Sequence, residues 1–187
     1  MFSIGGIFMK FTIESFKQKS EAVNLALYIR EKYLSYEKNT DKRIISPIKL
    51  QKSLYFLFAY WGQFIRSNKD NKDSVEVDYS QYCEFLFDDR IEAWTYGPVI
   101  PEVFAYEKEG LLDVAELDEN YLKDDNIKKE FIDNLLNQLF DIDDFSLVRI
   151  SHEDKCWQRN YIESDEKHNR EIPKEDIINE YISKQIG

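Results

Sequence analysis

The sequence predicts a single, mainly α-helical domain with a central apolar helix over about 47–66 and one small β-hairpin over about 85–94. Apolar residues recur at helical spacing through several long segments, whereas strand-like alternation is confined to one short segment. The chain has 187 residues, of which 43% are hydrophobic and 15% aromatic. A chain of this length buries roughly 70% of its unfolded surface, so it needs no disulfide or metal to hold a core.

Two helices are predicted in the first third of the chain. Helical spacing begins near residue 15 and extends over 15–37. After a polar loop, Ser46 is predicted to cap a second helix that has Pro47 in its first turn. This second helix continues to about Arg66 and is apolar around much of its girth, which places it at the centre of the fold.

The hairpin is predicted from a short pair of apolar runs. Residues 75–87 are ambiguous between strand and loop, but Phe85–Phe87 and Ile91–Trp94 both favour strands. Asp88 and Asp89 separate the two runs, and Asp is a common turn residue. We therefore expect an antiparallel pair with an acidic turn.

A sharp corner is predicted where the second strand ends, between Trp94 and Pro98. Gly97 supplies the conformational freedom to turn. Pro98 suits the first position of a helix that reaches about Lys108. Trp94 and Tyr96 are expected to insert their rings into the core.

The rest of the chain is predicted to be helical after an irregular, acidic stretch at 111–125. The run 126–140 has clear amphipathic spacing. Asp143 or Asp144 can cap a short helix after it, and Pro173 can open the last helix.

Charge is distributed unevenly along the chain. The net charge is −11, but residues 1–66 carry 11 basic and 5 acidic side chains, whereas the remainder carries 14 basic and 31 acidic ones. The balance is therefore +6 before this boundary and −17 after it. Such a bias is commonly a solubilising one, but an acidic surface also repels nucleic acid and attracts basic proteins.

Targeting and redox signals point to a cytoplasmic protein. The first residues lack the basic region and cleavage site of a signal peptide, and no run is long enough for a membrane span. Residues 1–14 are interpreted as an N-terminal extension that could be disordered. Cys83 and Cys156 lack paired spacing and are expected to be two buried thiols.

No enzyme signature emerges from the remaining patterns. Asp88, Asp89 and Glu92 could gather a metal for nuclease chemistry, although a turn explains them better. His152 and Cys156 lie four residues apart but lack partners at zinc-site spacing. We therefore predict no catalytic residue, metal or cofactor.

Two runs carry a more specific signal, SPIKLQKSLYFLFAYWGQF at 46–64 and FDDRIEAWTYGPVIPEVFAYEK at 87–108. The first is similar to a KLQKLLYF-like helix and the second to an EAW.YGPV.PEV-like corner. Together they resemble the Panacea domain, the SocA-like antitoxin domain that is also met in phage-associated GepA-type proteins. The residues that match are Lys49, Leu50, Gln51, Lys52, Tyr55, Phe56, Phe87, Glu92, Ala93, Trp94, Tyr96, Gly97, Pro98, Val99, Pro101, Glu102 and Val103.

A weaker tail is also similar to the family. Ser151, His152 and Trp157 precede a final segment that contains Ile172, Pro173, Glu175, Ile177 and Tyr181. Ser53 and Cys156 depart from the family pattern and are interpreted as packing changes. The resemblance implies that the motif residues are mainly structural and that the domain spans 15–187.

The resemblance implies an antitoxin that neutralises a cognate toxin by direct protein–protein binding. The toxin gene is expected beside this one, in a bacterial, phage or prophage toxin–antitoxin system. SocA-type members act as proteolytic adaptors, which implies a protease as a further partner. Two alternatives remain open from the residues themselves, a metal-dependent nuclease and an acidic, DNA-mimicking anti-restriction protein.

Overall fold

The computed structural model describes residues 19–69, 77–163 and 170–186. Within these ranges, seven α-helices accompany a single two-stranded antiparallel hairpin. The predicted fold class, mainly α with one small hairpin, is therefore confirmed. The predicted N-terminal extension at 1–14 lies outside the described residues.

The helices and strands of the described residues are numbered in chain order. The α-helices are α1 (Glu21–Ser35), α2 (Pro47–Asn68), α3 (Pro101–Lys108), α4 (Asn126–Asp141), α5 (Asp144–His152), α6 (Lys155–Asn160) and α7 (Lys174–Ile186), and the strands are β1 (Glu92–Trp94) and β2 (Gly97–Val99). Short 3₁₀ turns occupy Tyr79–Gln81 and Leu111–Asp113. In the described part of the chain, no helix combines the length and apolar character needed to cross a bilayer.

Helix α2 is the centre of the molecule, as its sequence predicts. It packs against α1, α4, α5, α7 and β2. Its start also matches the prediction, because the Ser46 hydroxyl accepts from Lys49 N at 3.0 Å and Pro47 occupies the first turn. A helix that is covered on nearly every side requires apolar residues around its girth, and this explains the composition of the run.

Helix α1 is shorter than its predicted range of 15–37. Ser20 caps it, with its hydroxyl accepting from Val23 N at 3.3 Å. The helix ends at Ser35, before the polar loop. Residues 15–18 of the predicted helix lie outside the described residues.

The structure contains the predicted hairpin, but its strands lie at 92–99 instead of about 85–94. Strand β1 pairs with β2, with Trp94 opposite Gly97, so Thr95 and Tyr96 form the turn. Phe85–Phe87 form no strand and pack in the core, where the Phe87 ring lies 5.0 Å from that of Phe58. The apolar run at Phe85–Phe87 therefore reflects the packing of an irregular segment against the core.

The corner also differs from its prediction in one position. Pro98 lies in β2, and Pro101 opens α3 instead. The prediction that Gly97 makes the turn is confirmed by its φ of +92°. Only glycine adopts this region without strain, so the turn geometry depends on residue 97.

Residues near the start of α7 complete the small sheet. Ala93 N donates to Arg170 O at 2.9 Å, and Ile172 N donates to Ile91 O at 2.7 Å. This places 170–172 along the free side of β1. A segment far along the chain therefore covers the edge of the hairpin.

Candidate functional site: an aromatic groove at the hairpin corner

The polar residues at the start of α2 are buried and bind backbone groups. Lys49 Nζ donates to Phe140 O at 3.1 Å and to Ile142 O at 2.5 Å, joining α2 to the end of α4. The amide of Gln51 brackets Ile100, accepting from its N–H at 2.8 Å and donating to its carbonyl at 3.5 Å. Lys49 therefore fixes the end of α4, and Gln51 fixes the residue that follows β2.

Lys52 lies under the hairpin turn and is 1% exposed. Its ammonium donates to Pro98 O at 2.7 Å. Burial lowers the pKa of Lys52 to about 7, because a charged ammonium loses hydration in this position. A Cβ on Gly97 would lie 2.9 Å from Lys52 Nζ and 2.4 Å from Ser151 Oγ, so the turn sits directly on this lysine.

Trp94 and Tyr96 do not insert fully into the core, which corrects the prediction for both. Tyr96 is 60% exposed at the tip of the turn. Trp94 is half-buried, with its ring 4.8 Å from that of Phe104 and its indole N–H donating to Glu92 at 2.9 Å. The two rings therefore form a surface rather than fill a cavity.

A stack of three rings continues this surface beside the turn. His152 stacks on Trp157 at 4.0 Å and 7°, and Trp157 stacks on Tyr161 at 4.8 Å and 15°. The Trp157 indole N–H donates to Trp94 O at 3.1 Å, which attaches the stack to the hairpin. The pKa of His152 is lowered, first by burial and then by the charge of Lys52.

These elements enclose an open groove of about 540 Å³. Its lining includes Lys52, Trp94, Tyr96, Phe104, Tyr161 and Ile48. Ligand sites typically measure about 300–1,000 Å³ and combine apolar walls with a few polar groups, as this one does. The groove is the strongest candidate for a functional site.

The other large depression differs in chemistry. It measures about 550 Å³ and lies between α1 and α4. Lys32 and Asp133 line it, but they already form an ion pair with each other at 2.8 Å. This depression therefore offers a ligand fewer unsatisfied groups than the aromatic groove.

The sequence motifs identified some of the residues that line this groove. Lys52, Trp94 and Tyr96 belong to the motifs singled out there, whereas Phe104 and Tyr161 were not singled out. Tyr161 lies four residues after Trp157, which is the spacing of neighbours on one helical face. That spacing is the signal that could have added it.

The three carboxylates proposed for nuclease chemistry bind three different groups. Asp88 pairs with the first residue of α7 at 2.7 Å, and Asp89 accepts from Ala22 N at 3.2 Å. Glu92 accepts from the indole of Trp94 at 2.9 Å. They do not form the hairpin turn either, so their predicted role as turn residues is also wrong.

Glu102 is the one motif carboxyl with a strongly altered titration. Its pKa is raised to about 7, first by burial and then by hydrogen bonding to Asp89 and by the charge of that residue. Asp89 also accepts from the first turn of α1. The pair thus joins α3 to the start of α1.

The remaining motif residues belong to the core. Leu50 and Tyr55 are fully buried, and Ala93 is 2% exposed. The Tyr55 hydroxyl donates to buried Asp154 at 2.5 Å, beside the thiol of Cys156 at 3.6 Å.

The cysteines differ from each other, so the prediction of two buried thiols is half right. Cys156 is buried, and burial raises its pKa to about 12, whereas Cys83 is exposed. Among the residues that the structure describes, no three His, Cys, Asp or Glu side chains gather as metal ligands would.

Many acidic residues after position 110 have local partners. Asp125 caps α4 and Asp143 caps α5, each through a backbone N–H at 2.9 Å. Asp141 pairs with Lys38 at 2.6 Å. The segment before α4 nevertheless keeps exposed carboxylates, at Glu116, Asp118, Glu119 and Asp124.

Comparison with known families agrees with this geometry. Residues 75–158 match the family described as antitoxin SocA-like, Panacea domain. The segment 75–158 is therefore similar to a SocA-like Panacea domain, which confirms the resemblance seen in the motif at 87–108. No curated protein and no solved structure matches the chain. The matched segment includes the hairpin and its turn, which line the groove, and also His152 and Trp157, which stack on each other beside it.

Proposed function

We propose that this protein is an antitoxin that neutralises a cognate toxin by direct protein–protein binding, without catalysis. The observation that supports this proposal is the aromatic groove, because the family-matched segment supplies the wall that contains Trp94, Tyr96 and Phe104. Exposed aromatic side chains such as Tyr96 are typical anchors of protein interfaces. The family to which the segment belongs is one of antitoxins.

The finer details extend the same proposal. The toxin is expected to be the product of an adjacent gene, and both proteins are expected to act in the cytoplasm. Residues 15–187 are proposed to form one Panacea domain, because one continuous core contains residues from Ala22 to Tyr181. A proteolytic adaptor would bind the same toxin and also recruit a protease.

The test is rescue of growth. The product of each adjacent gene is expressed in a bacterial host, alone and together with this protein, and a tagged form is used to recover the complex. We expect one neighbour to be toxic alone, harmless in the presence of this protein and recovered with it. If no neighbour is bound and no toxicity is relieved, the antitoxin role is wrong.

Groove variants add a matched comparison. Tyr96→Ala removes a ring at the groove that is 60% exposed, and Val114→Ala removes methyl groups from a residue that is 76% exposed and does not line the groove. Rescue should weaken only with Tyr96→Ala. The half-life of the toxin in the same cells separates simple neutralisation, which leaves it unchanged, from an adaptor, which shortens it.

A further inference from the structure

Lys52 is a buried amine with unused hydrogen-bonding capacity, and it carries a charge when it is protonated. An ammonium group has three donors. Among the residues that the structure describes, Pro98 O is the single hydrogen-bond acceptor of Lys52 Nζ, and no carboxylate pairs with it. A buried charge is costly unless it is paired and hydrogen-bonded, so this position favours an anion from elsewhere.

The lysine is placed where an incoming group could reach it. It lines the aromatic groove, and its Nζ lies beside Gly97 and Pro98 of the hairpin. The walls above are aromatic, formed by Trp94, Tyr96 and Phe104.

We propose that the groove receives an acidic side chain of the partner protein, with its carboxylate on Lys52 and a neighbouring aromatic or aliphatic side chain against the ring walls. The inference rests on the proposed function for the identity of the occupant. An aspartate or glutamate on a toxin surface would supply the slender anionic group that this site fits.

The chemistry of the groove favours a carboxylate over a phosphate. Sites for phosphate usually combine several donors, such as an arginine fork or a row of backbone N–H groups. Here the neighbouring amide of Gln51 is already bonded to Ile100, and Glu163 lies at the rim. A single ammonium group suits a carboxylate, which carries one charge on two oxygens.

A small acid tests the site without any partner. The chain has three tryptophans, so its NMR spectrum has three indole N–H signals. 3-Phenylpropionate should shift the Trp94 signal and leave Trp61 unchanged, because Trp61 is buried beside Cys83. The neutral 3-phenylpropionamide should bind at least about tenfold more weakly, since it lacks the charge-assisted hydrogen bond.

Two variants assign the effect. Lys52→Met should bind 3-phenylpropionate and 3-phenylpropionamide with the same low affinity. Tyr96→Ala should bind both compounds more weakly than the wild type does, but it should still bind the acid more tightly than the amide. Tyr96 is exposed, so its variant provides the test even if Lys52→Met does not fold. Equal binding of acid and amide to the wild type, or no shift with either, would overturn the proposal.

Binding of the partner protein provides the second test. Lys52→Met should weaken binding of the neighbour-encoded toxin by about tenfold or more, mainly through faster dissociation. If the toxin binds wild type and Lys52→Met equally, the carboxylate proposal is wrong and the antitoxin role stands. If no toxin binds at all, the antitoxin role is wrong, and the small acid still decides whether the groove takes a carboxylate.

Discussion

Gly97 shows how one residue can set the geometry of a whole corner. Its φ of +92° is a conformation that side chains rarely adopt, and a Cβ there would lie 2.4 Å from Ser151 Oγ. Both backbone strain and collision therefore oppose any substitution.

We expect Gly97→Ala to lower the free energy of unfolding by about 2–4 kcal/mol, through strain and overpacking together. Gly110→Ala is the matched control, because Gly110 also has a positive φ, of +70°, but has no atom within 4 Å of a new Cβ. It should cost about 1 kcal/mol, from strain alone. Urea denaturation measures both, and equal losses would mean that the crowding under the turn is relieved easily.

Lys52 makes stability depend on pH in an unusual direction. Its pKa is about 7 in the fold and 10.5 ordinarily, so between these values the unfolded chain holds a proton that the folded chain lacks. The free energy of unfolding therefore rises with pH across this range and gains nothing from Lys52 below it. Cys156 acts in the opposite direction, but only above its ordinary pKa of 9.0.

The prediction compares two proteins at two pH values. Between about pH 7 and pH 8.5, wild type should gain about 1–2 kcal/mol more in the free energy of unfolding than Lys52→Met. Groups shared by the two proteins cancel in this difference. Urea denaturation at both pH values measures it, and identical gains would show that Lys52 is not desolvated.

The sequence motifs identify Gly97 and Lys52, but they do not identify the role of Lys52 under the turn. Gly97 and Lys52 both stand in motifs, and the positive φ of the glycine follows from its place in a turn. The ammonium under the turn could not be predicted, because Lys52 and Pro98 are 46 residues apart and meet only through packing of β2 on α2. Local patterns carry no information on such a contact.

At the scale of elements, α2 was predictable and the hairpin was only partly so. The helix has a cap, a proline and apolar residues around its girth, and these signals agree with one another. The hairpin segment contains two competing apolar runs and two candidate turns. The hairpin forms with its turn at Thr95–Tyr96 because both of its strands are held by other segments. Residues 170–172 bind the backbone of β1, and Lys52 of α2 binds the backbone of β2.

The contrast between two tryptophans tests the central position of α2. Trp61 is 2% exposed and is surrounded by the rings of Phe64, Tyr82 and Phe131. Trp61→Ala should therefore lower the free energy of unfolding by about 3–5 kcal/mol.

Trp94→Ala is the matched comparison on the groove. Trp94 is half-buried, so its removal should cost less, about 1–2 kcal/mol for the apolar area lost. Thermal or urea unfolding measures the two variants side by side. A larger loss for Trp94 than for Trp61 would mean that the hairpin, rather than α2, holds the fold together.

At the scale of the whole molecule, charge should govern how quickly a partner arrives. The chain after residue 66 has 31 acidic and 14 basic side chains. Some of these acids are caps or ion-pair members, but Glu116, Asp118, Glu119 and Asp124 remain exposed before α4. Exposed charges of this kind steer a basic protein at long range.

We expect association with a basic toxin to slow as salt is raised, because exposed charges are screened over about 8–10 Å at physiological ionic strength. The dissociation rate should change less, since it depends on close contacts in the groove. Stopped-flow association at low and high salt measures this. A constant association rate would reject electrostatic steering while leaving the groove as the interface.

The strand-like segment at 170–172 determines when the edge of the hairpin becomes covered during synthesis. Because Ile172 N and Arg170 O cover the edge of β1, the hairpin keeps an open side until residues 170–172 have left the ribosome. An open strand edge invites pairing with other chains. We expect a nascent chain stalled after residue 163 to self-associate or to be captured by chaperones, because its hairpin still lacks the cover that residues 170–172 provide.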